Sequence, residues 1–338
     1  MSVAVDAAGD LYIGDWSGFI RKVWVKDRAS TLVAGVGILG YSGDDGLATS
    51  AMIGKSGIIA LDAAGNIYIA DAGNNRIRKI DITTGIISRI AGTGEDIDHG
   101  DGGPALTAGV SMPSGITVDT EGNVYFGSSW SRVRKLTVST GKIETIAGNQ
   151  FTSYGGDNGP ALGALFWDPV PSAVNRAGDL YITDFENSRI RVVSAATKQV
   201  TTVAGSSPCV TAPPPFSSAQ ICRGSYGGDG GPAKRATLNY PAAAALDDDG
   251  NLYIADTGDH RIRRVDAATG LIYTIAGRGA KGFSGDGGPA LAAEISYPTG
   301  IAVDHTGKVY FADQGNHCIR VLTPAARPSH PFGQRSSR

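Results

Sequence analysis

Short apolar runs alternate with polar, glycine-containing turns along the whole chain, and no apolar stripe of 3.6-residue period runs long enough for a sizeable helix. The runs recur as a repeat. A tyrosine marks the register at Tyr12, Tyr68, Tyr125, Tyr181, Tyr253 and Tyr310, with successive markers 56 or 57 residues apart except for one longer step after Tyr181. A first short apolar segment precedes each tyrosine and ends on an acidic or amide turn, as in Ile58 to Asp62 or Ile301 to Asp304. A turn such as Ala63-Ala64-Gly65-Asn66 then leads into the tyrosine segment, fit for a hairpin. The tyrosine segment, for example Leu252-Tyr253-Ile254-Ala255-Asp256, is apolar on both faces, which predicts a strand covered on both sides. A third segment such as Arg76-Ile77-Arg78-Lys79-Ile80 follows, then a fourth ending Thr-Ile-Ala-Gly or similar, as at Thr274 to Gly277.

Four antiparallel strands repeated radially predict an all-β fold, a six-bladed β-propeller in which neighbouring blades bury each other's faces. The sequence supplies six first, second and third strands but only five fourth strands, so the last blade is expected to be incomplete. Residues 1–322 read as the propeller. The stretch 323–338, rich in proline, serine and arginine, reads as a disordered tail that contributes at most a weak strand.

Composition narrows the classes of function. Glycine at 48 of 338 residues, without a three-residue period, fits many tight turns. A net charge of −2 offers no global basic field for nucleic acid, and no apolar run is long enough to span a bilayer. Met1 to Asp6 enters strand-like sequence directly, which reads as a mature or trimmed start. Cys209 and Cys222 flank a proline-rich insertion, while Cys318 stands alone. A disulfide closing the insertion would place the protein in an oxidising compartment, secreted or periplasmic; the alternative is two free thiols in an exposed loop.

With Gly300-Ile301-Ala302-Val303-Asp304, Arg261-Ile262-Arg263 and the loop Ser284-Gly285-Asp286-Gly287-Gly288-Pro289-Ala290, the repeat resembles the NHL-repeat propellers, in particular the bacterial kind with a glycine–aspartate loop. More distantly it is similar to gluconolactonase-like calcium-dependent lactonases. That second resemblance implies Ca²⁺ at the channel mouth, polarising a carbonyl and generating a nucleophilic water. In the gluconolactonase-like pattern an Asn or Asp before the first-strand glycine ligates the metal. Here those positions hold Ser56, Ser114, Val170, Ala242 and Thr299, so calcium would have to use other ligands.

Two rings of aspartate stand out. Asp44, Asp101, Asp157, Asp229 and Asp286 sit in the glycine loops, where recurrence argues for turn capping rather than for a calcium site. Asp15, Asp71, Asp184, Asp256 and Asp313 end the tyrosine strands, with Gly127 read as breaking the series. Of these, Asp15, Asp71 and Asp184 are the candidate metal ligands, and pairing with Arg76, Arg189 or Arg261 is the architectural alternative. Departures from the repeat add His260 and His317 where other blades carry Asn75, Ser131 or Ser188. Together with Asp256 and Asp313 these histidines form a candidate catalytic group. Trp16, Trp130, Trp167 and Phe185 are the candidate substrate-binding aromatics, and the insertion from Ser206 to Ser225 is expected to overhang the same face.

No nucleophile elbow, phosphate loop, HExxH or paired CxxC motif occurs. The leading expectation is a metal-assisted hydrolase of lactones or related esters such as acyl lactones, with no organic cofactor, acting as a monomer. The alternative is a non-catalytic propeller that binds a glycan, peptide or protein through its aromatic face. RNA binding, as in animal NHL proteins, ranks last because the candidate face carries aspartates rather than a basic field.

Overall fold

In a computed structural model, which describes residues 1–55, 57–211, 220–222 and 224–324, each repeat is an antiparallel meander whose strands pair in chain order. Blade one comprises Ser2–Val5, Leu11–Gly14, Ile20–Val23 and Ser30–Ala34. In blade five the same four are Pro241–Leu246, Leu252–Asp256, Arg261–Val265 and Ile272–Ala276. Blade six has only Pro298–Val303, Val309–Asp313 and Cys318–Leu322 among the described residues, as the missing fourth motif requires. The tail from Ala325 onward lies outside the described residues. Two-residue strands, Gly46–Leu47 and Gly159–Pro160, add a fifth strand to the outer edges of blades two and four.

First strands pack side by side around a central axis and enclose a cavity of about 310 Å³, lined by Val3, Ile59, Ile116, Ala244 and Ile301 among others. The ring closes where Pro298–Val303 meets Ser2–Val5. There Gly300 N–H and Thr299 Oγ1–H both donate to the Met1 carbonyl, at 3.3 and 3.1 Å. Tyrosine recurs because it does two jobs. Its ring fills the space between blades, and its hydroxyl donates across the hairpin to the aspartate ending the first strand. The Tyr68–Asp62, Tyr125–Asp119, Tyr253–Asp247 and Tyr310–Asp304 pairs measure 3.0 to 3.2 Å. The second strand is buried on both faces, as its two-sided apolar pattern predicts: every residue of Ile67–Asp71 is inaccessible. Each apolar cluster spans two consecutive blades, as when Tyr68 and Ile77 pack with Val124 and Phe126. At about 1.5–3 kcal/mol per fully buried large apolar side chain, these seams hold the ring together.

Cys209 and Cys222 form a disulfide within a small hairpin, Cys209–Thr211 against Gln220–Cys222, which suits an oxidising compartment. The rest of that insertion, residues 212–219 and 223, lies outside the described residues. Among the described residues no helix is long and apolar enough to cross a membrane.

Candidate functional site

Antiparallel pairing puts the end of each second strand beside the start of the first, as in Pro169 opposite Asp184 and Pro298 opposite Asp313. The second-to-third strand loops and the blade-to-blade connections therefore share one face, at one mouth of the channel. Most of the sequence-derived candidates lie there.

Beneath this face, in blades two, four, five and six, the aspartates of both rings are taken up by arginine, and the arginine is not the expected one. The second arginine of the third-strand motif does the pairing. Arg263 is fully buried and meets Asp229 of the glycine loop at 2.6 Å and Asp256 at 3.2 Å. It also donates to the Thr237 and Gly227 carbonyls. Arg78 binds Asp44 and Asp71, Arg191 binds Asp157 and Asp184, and Arg320 binds Asp286 and Asp313 in the same way. Each guanidinium thus staples the incoming connection to its own blade, using the fork geometry only arginine has. Arg76, Arg189 and Arg261 instead donate to loop carbonyls and lie over Tyr41, Tyr154 and Tyr226, at 3.7 to 3.9 Å from the ring centres.

Blade three departs, one residue later than the sequence reading placed the break. Counting three residues on from each marker tyrosine gives Ser128, not Gly127, as the equivalent of Asp71. The missing carboxylate enters from the connection instead. Asp98 Oδ1 accepts from Ser111 N–H at 2.9 Å and from Ser128 Oγ–H at 2.6 Å, and it lies 3.6 Å from Arg134. The Ser111 bond is the one that Asp256 makes with Asn239 N–H and Asp313 with Ser296 N–H. Asp98 stands three residues before the glycine-loop aspartate, where the other connections carry Tyr41, Tyr154, Tyr226 and Phe283, so this break in the repeat was the available signal.

At the mouth itself, the residue before a first-strand proline is held at positive φ in four blades: Met112 (41°), Asp168 (54°), Tyr240 (49°) and Tyr297 (51°). That is an uncommon conformation for bulky side chains. In each case its N–H is caught by the preceding blade. Met112 donates to Asn75 Oδ1, Tyr240 to Ser188 Oγ, Tyr297 to His260 Nδ1 and Asp168 to the Trp130 carbonyl. His260 is thus a latch between blades five and six, and its ring stands edge-on to Tyr297 at 4.7 Å. Burial and then Lys281 push its pKa below the usual histidine value, which keeps Nδ1 free to accept. His317 occupies the equivalent left-handed position in blade six and is exposed.

The aromatic candidates fall around this mouth. Trp16 and Trp130 are 52 % and 49 % exposed at the tips of the loops in blades one and three. Phe185 is half-buried against Tyr240, with ring centres 5.3 Å apart. Trp167 is half-buried and its N–H donates to Asp184. Sequence reasoning missed Tyr240, Tyr297 (44 % exposed) and Asp168, although the Tyr-Pro, Tyr-Pro and Asp-Pro pairs opening the first strands were the available signal. Burial pushes the Asp168 carboxyl up to about 6, and the nearby Glu186 and Asp184 charges add to the shift.

The expected calcium ligands do not present themselves to a cation. Asp15 Oδ1 accepts from Ser17 and Phe19 N–H, Asp71 from Gly54 N–H and Asn74, and Asp184 from Trp167 N–H and Asn187. Asp71 and Asp184 are also paired with arginine and inaccessible. Among the described residues, no three His, Cys, Asp or Glu side chains are grouped so as to hold a metal ion. The donor set does not fit a hard cation, which needs six or more oxygens free to point at it. The proposed catalytic carboxylates Asp256 and Asp313 are likewise inaccessible and bonded to Arg263 and Arg320.

Radial four-stranded blades, a ring closed between first and last, and a recurrent arginine staple define a six-bladed β-propeller. Residues 238–265 and 296–322 match the family model described as NHL repeat. Among curated relatives, the chain is 25% identical to Protein SUPPRESSOR OF QUENCHING 1, chloroplastic, of Arabidopsis thaliana, across 84% of this chain and 27% of that protein. It is 27% identical to human Teneurin-1 over 96% of this chain and 12% of that protein. It is 24% identical to human NHL repeat-containing protein 2 over 78% of this chain and 38% of that protein. The chain thus spans well under half the length of these relatives. Among solved structures it is similar to an auxiliary nutrient binding protein from Bacteroides ovatus, with TM-score 0.63 and 17% identity, over 96% of this chain and 69% of that one. It is also similar to a streptogramin B lyase, with TM-score 0.53 and 14% identity, over 96% and 83%. These two likenesses show the fold.

Proposed function

We propose that this propeller is a non-catalytic binding module that takes a glycan across the mouth of its channel. The observation that carries the proposal is a division of labour at that mouth. The ring carboxylates below it are bonded inward, while Trp16, Trp130 and Tyr297 remain uncovered at its rim. Sugars offer apolar C–H faces to aromatic rings and hydroxyl donors to carboxylates such as Asp168 and Glu186. The bulky residues held at positive φ around the rim support this reading, since strained backbone collects at ligand clamps. The disulfide-closed insertion fits a secreted or periplasmic binder. Neighbours in fold include both a binding protein and a lyase, so the fold itself decides nothing.

One observation favours the hydrolase reading. Asp168, pushed up to about 6, could exchange a proton near neutral pH, as general acid–base chemistry on an ester or acyl lactone requires. Acyl-lactone turnover assayed with chelator and with added Ca²⁺ separates the readings: the binding module gives none in either condition. Turnover lost in Asp168→Asn would establish the hydrolase and overturn the proposal.

A further inference from the structure

In the loop joining the second and third strands of blade five, a carboxyl group stands where other blades carry an amide. In blades two, four and six the third residue after the ring aspartate is Asn74, Asn187 or Asn316. Its Nδ2 donates to a carbonyl of the incoming connection (Gly40, Ser153 or Gly282) at 2.7 to 2.8 Å and to the ring aspartate at 2.9 Å. Blade five has Asp259 there. An ionised carboxylate only accepts, so it can make neither bond, and it sets a second negative charge beside the inaccessible Asp256.

The surroundings have adjusted only in part. The equivalent connection carbonyl, that of Ser225, accepts from Thr237 Oγ1–H instead. Asn239 Nδ2 donates to Asp259 Oδ1 at 3.2 Å. Asp259 Oδ2 is buried with no hydrogen-bond partner among the described residues. Arg263 Nε is likewise left over, although Nε of Arg78, Arg191 and Arg320 each bonds the glycine-loop aspartate at 2.8 to 3.1 Å. Charge points the same way. Blade two sets Asp44 and Asp71 against Arg76 and Arg78, and blade four sets Asp157 and Asp184 against Arg189 and Arg191. Blade five sets Asp229, Asp256 and Asp259 against Arg261 and Arg263. Arg261 donates to the Asp259 carbonyl at 3.1 Å, and His260, with Lys281 beyond it, has a lowered pKa that keeps it neutral.

We propose that Asp259 keeps its proton at neutral pH and stands in for the amide, Oδ2–H donating to an ionised Asp256, and that loss of this proton loosens the rim segment Asn239–Tyr240. The proton belongs on Asp259 because Asp256 already accepts from Arg263 and from Asn239 N–H, whereas Asp259 Oδ2 meets no donor. Burial raises both carboxyls, and the Asp259 charge raises Asp256 further. Asn239 is tied to this loop three times: by its N–H to Asp256, by its Nδ2 to Asp259, and by its carbonyl, which accepts from Gly258 N–H at 2.8 Å. Tyr240 follows it directly onto the rim, against Phe185. The device holds whatever ligand the mouth takes.

The test compares the full chain with Asp259→Asn, which supplies the amide of the other blades, in urea unfolding from pH 4 to 9. A carboxyl whose folded pKa is raised contributes stability that is present at low pH and lost as pH rises through the folded value. The unfolding equilibrium constant of wild type should therefore rise relative to the variant's by up to about tenfold per pH unit, starting near the unfolded aspartate value of about 4. The two profiles should run parallel above about 7, the value to which Asp256 is raised, since the pair titrates as a unit. His260 titrates with the opposite sign and is common to both proteins. Difference infrared spectra at pH 6 should show a carboxylic-acid carbonyl band in wild type that Asp259→Asn lacks. Amide exchange at Asn239 and Gly258 should quicken between pH 6 and 8 more in wild type than in the variant. Parallel profiles throughout, no acid band, or a variant less stable than wild type at pH 8 overturns the proposal. So does a stability gain from Ca²⁺ at constant ionic strength seen in wild type alone, which would put a cation in place of the proton.

Discussion

Arg263 and Asp256 meet at 3.2 Å with neither side chain accessible to solvent, and Asp229 closes the other side of the guanidinium at 2.6 Å. An ion pair so enclosed is a structural commitment: removing one partner leaves the other charge buried and uncompensated. Arg263→Ala and Asp256→Ala are each expected to cost about 3–5 kcal/mol in urea unfolding. If Asp256 were instead a reactive group open to substrate, its loss would spare stability.

Blade three offers a transplant of the same device. Asp98→Ala should destabilise the chain by about 1–3 kcal/mol, because it strips Ser111 N–H and Ser128 Oγ–H of their acceptor. Adding Ser128→Asp restores the repeat geometry and should recover most of that loss. Thermal melts of wild type, single and double variants check this; no recovery would contradict the equivalence of Asp98 with the ring aspartates.

His260 carries a pH signature. Its folded pKa is depressed, so the unfolded chain takes up a proton first as pH falls, and stability should decline from about 6.5 down to the folded pKa. Above that window it contributes no dependence. His260→Asn should remove this slope while keeping the latch, since Asn75 Oδ1 accepts the Met112 N–H at 2.9 Å from the same left-handed position. His260→Ala should lose both. Denaturant midpoints measured across pH 5 to 8 decide it.

The marker tyrosine makes a smaller claim. Tyr68→Phe keeps the ring between the blades and removes only the bond to Asp62, so it should cost about 0.5–1.5 kcal/mol, while Tyr68→Ala should cost about 3–5 kcal/mol.

The fold was legible because repetition multiplied weak local signals. One segment such as Tyr68-Ile69-Ala70-Asp71 says little, but six variants of it in register dictate the blades and their order. The arginine staple was only half legible. Arg261 and Arg263 lie two residues apart on one strand, so alternation does not separate them; recurrence does, since arginine fills the Arg263 position in all six blades while the Arg261 position holds Phe19 and Cys318 in blades one and six. Asp98 was legible only as a departure, an aspartate where the other glycine loops begin with Tyr41, Tyr154, Tyr226 or Phe283. Tyr240, Tyr297 and Asp168 were hidden for another reason: their placement at the mouth comes from a positive-φ backbone before proline, a conformation that sequence preferences argue against.

The most direct test of the central claim is a glycan array probed with wild type and with the Trp16→Ala/Trp130→Ala double variant, whose melting temperatures should match because both side chains are half-exposed loop tips. The account predicts a defined set of glycans whose signal falls at least about tenfold in the double variant. Retention on peptides alone, or glycan signal unchanged by the double variant, would contradict it.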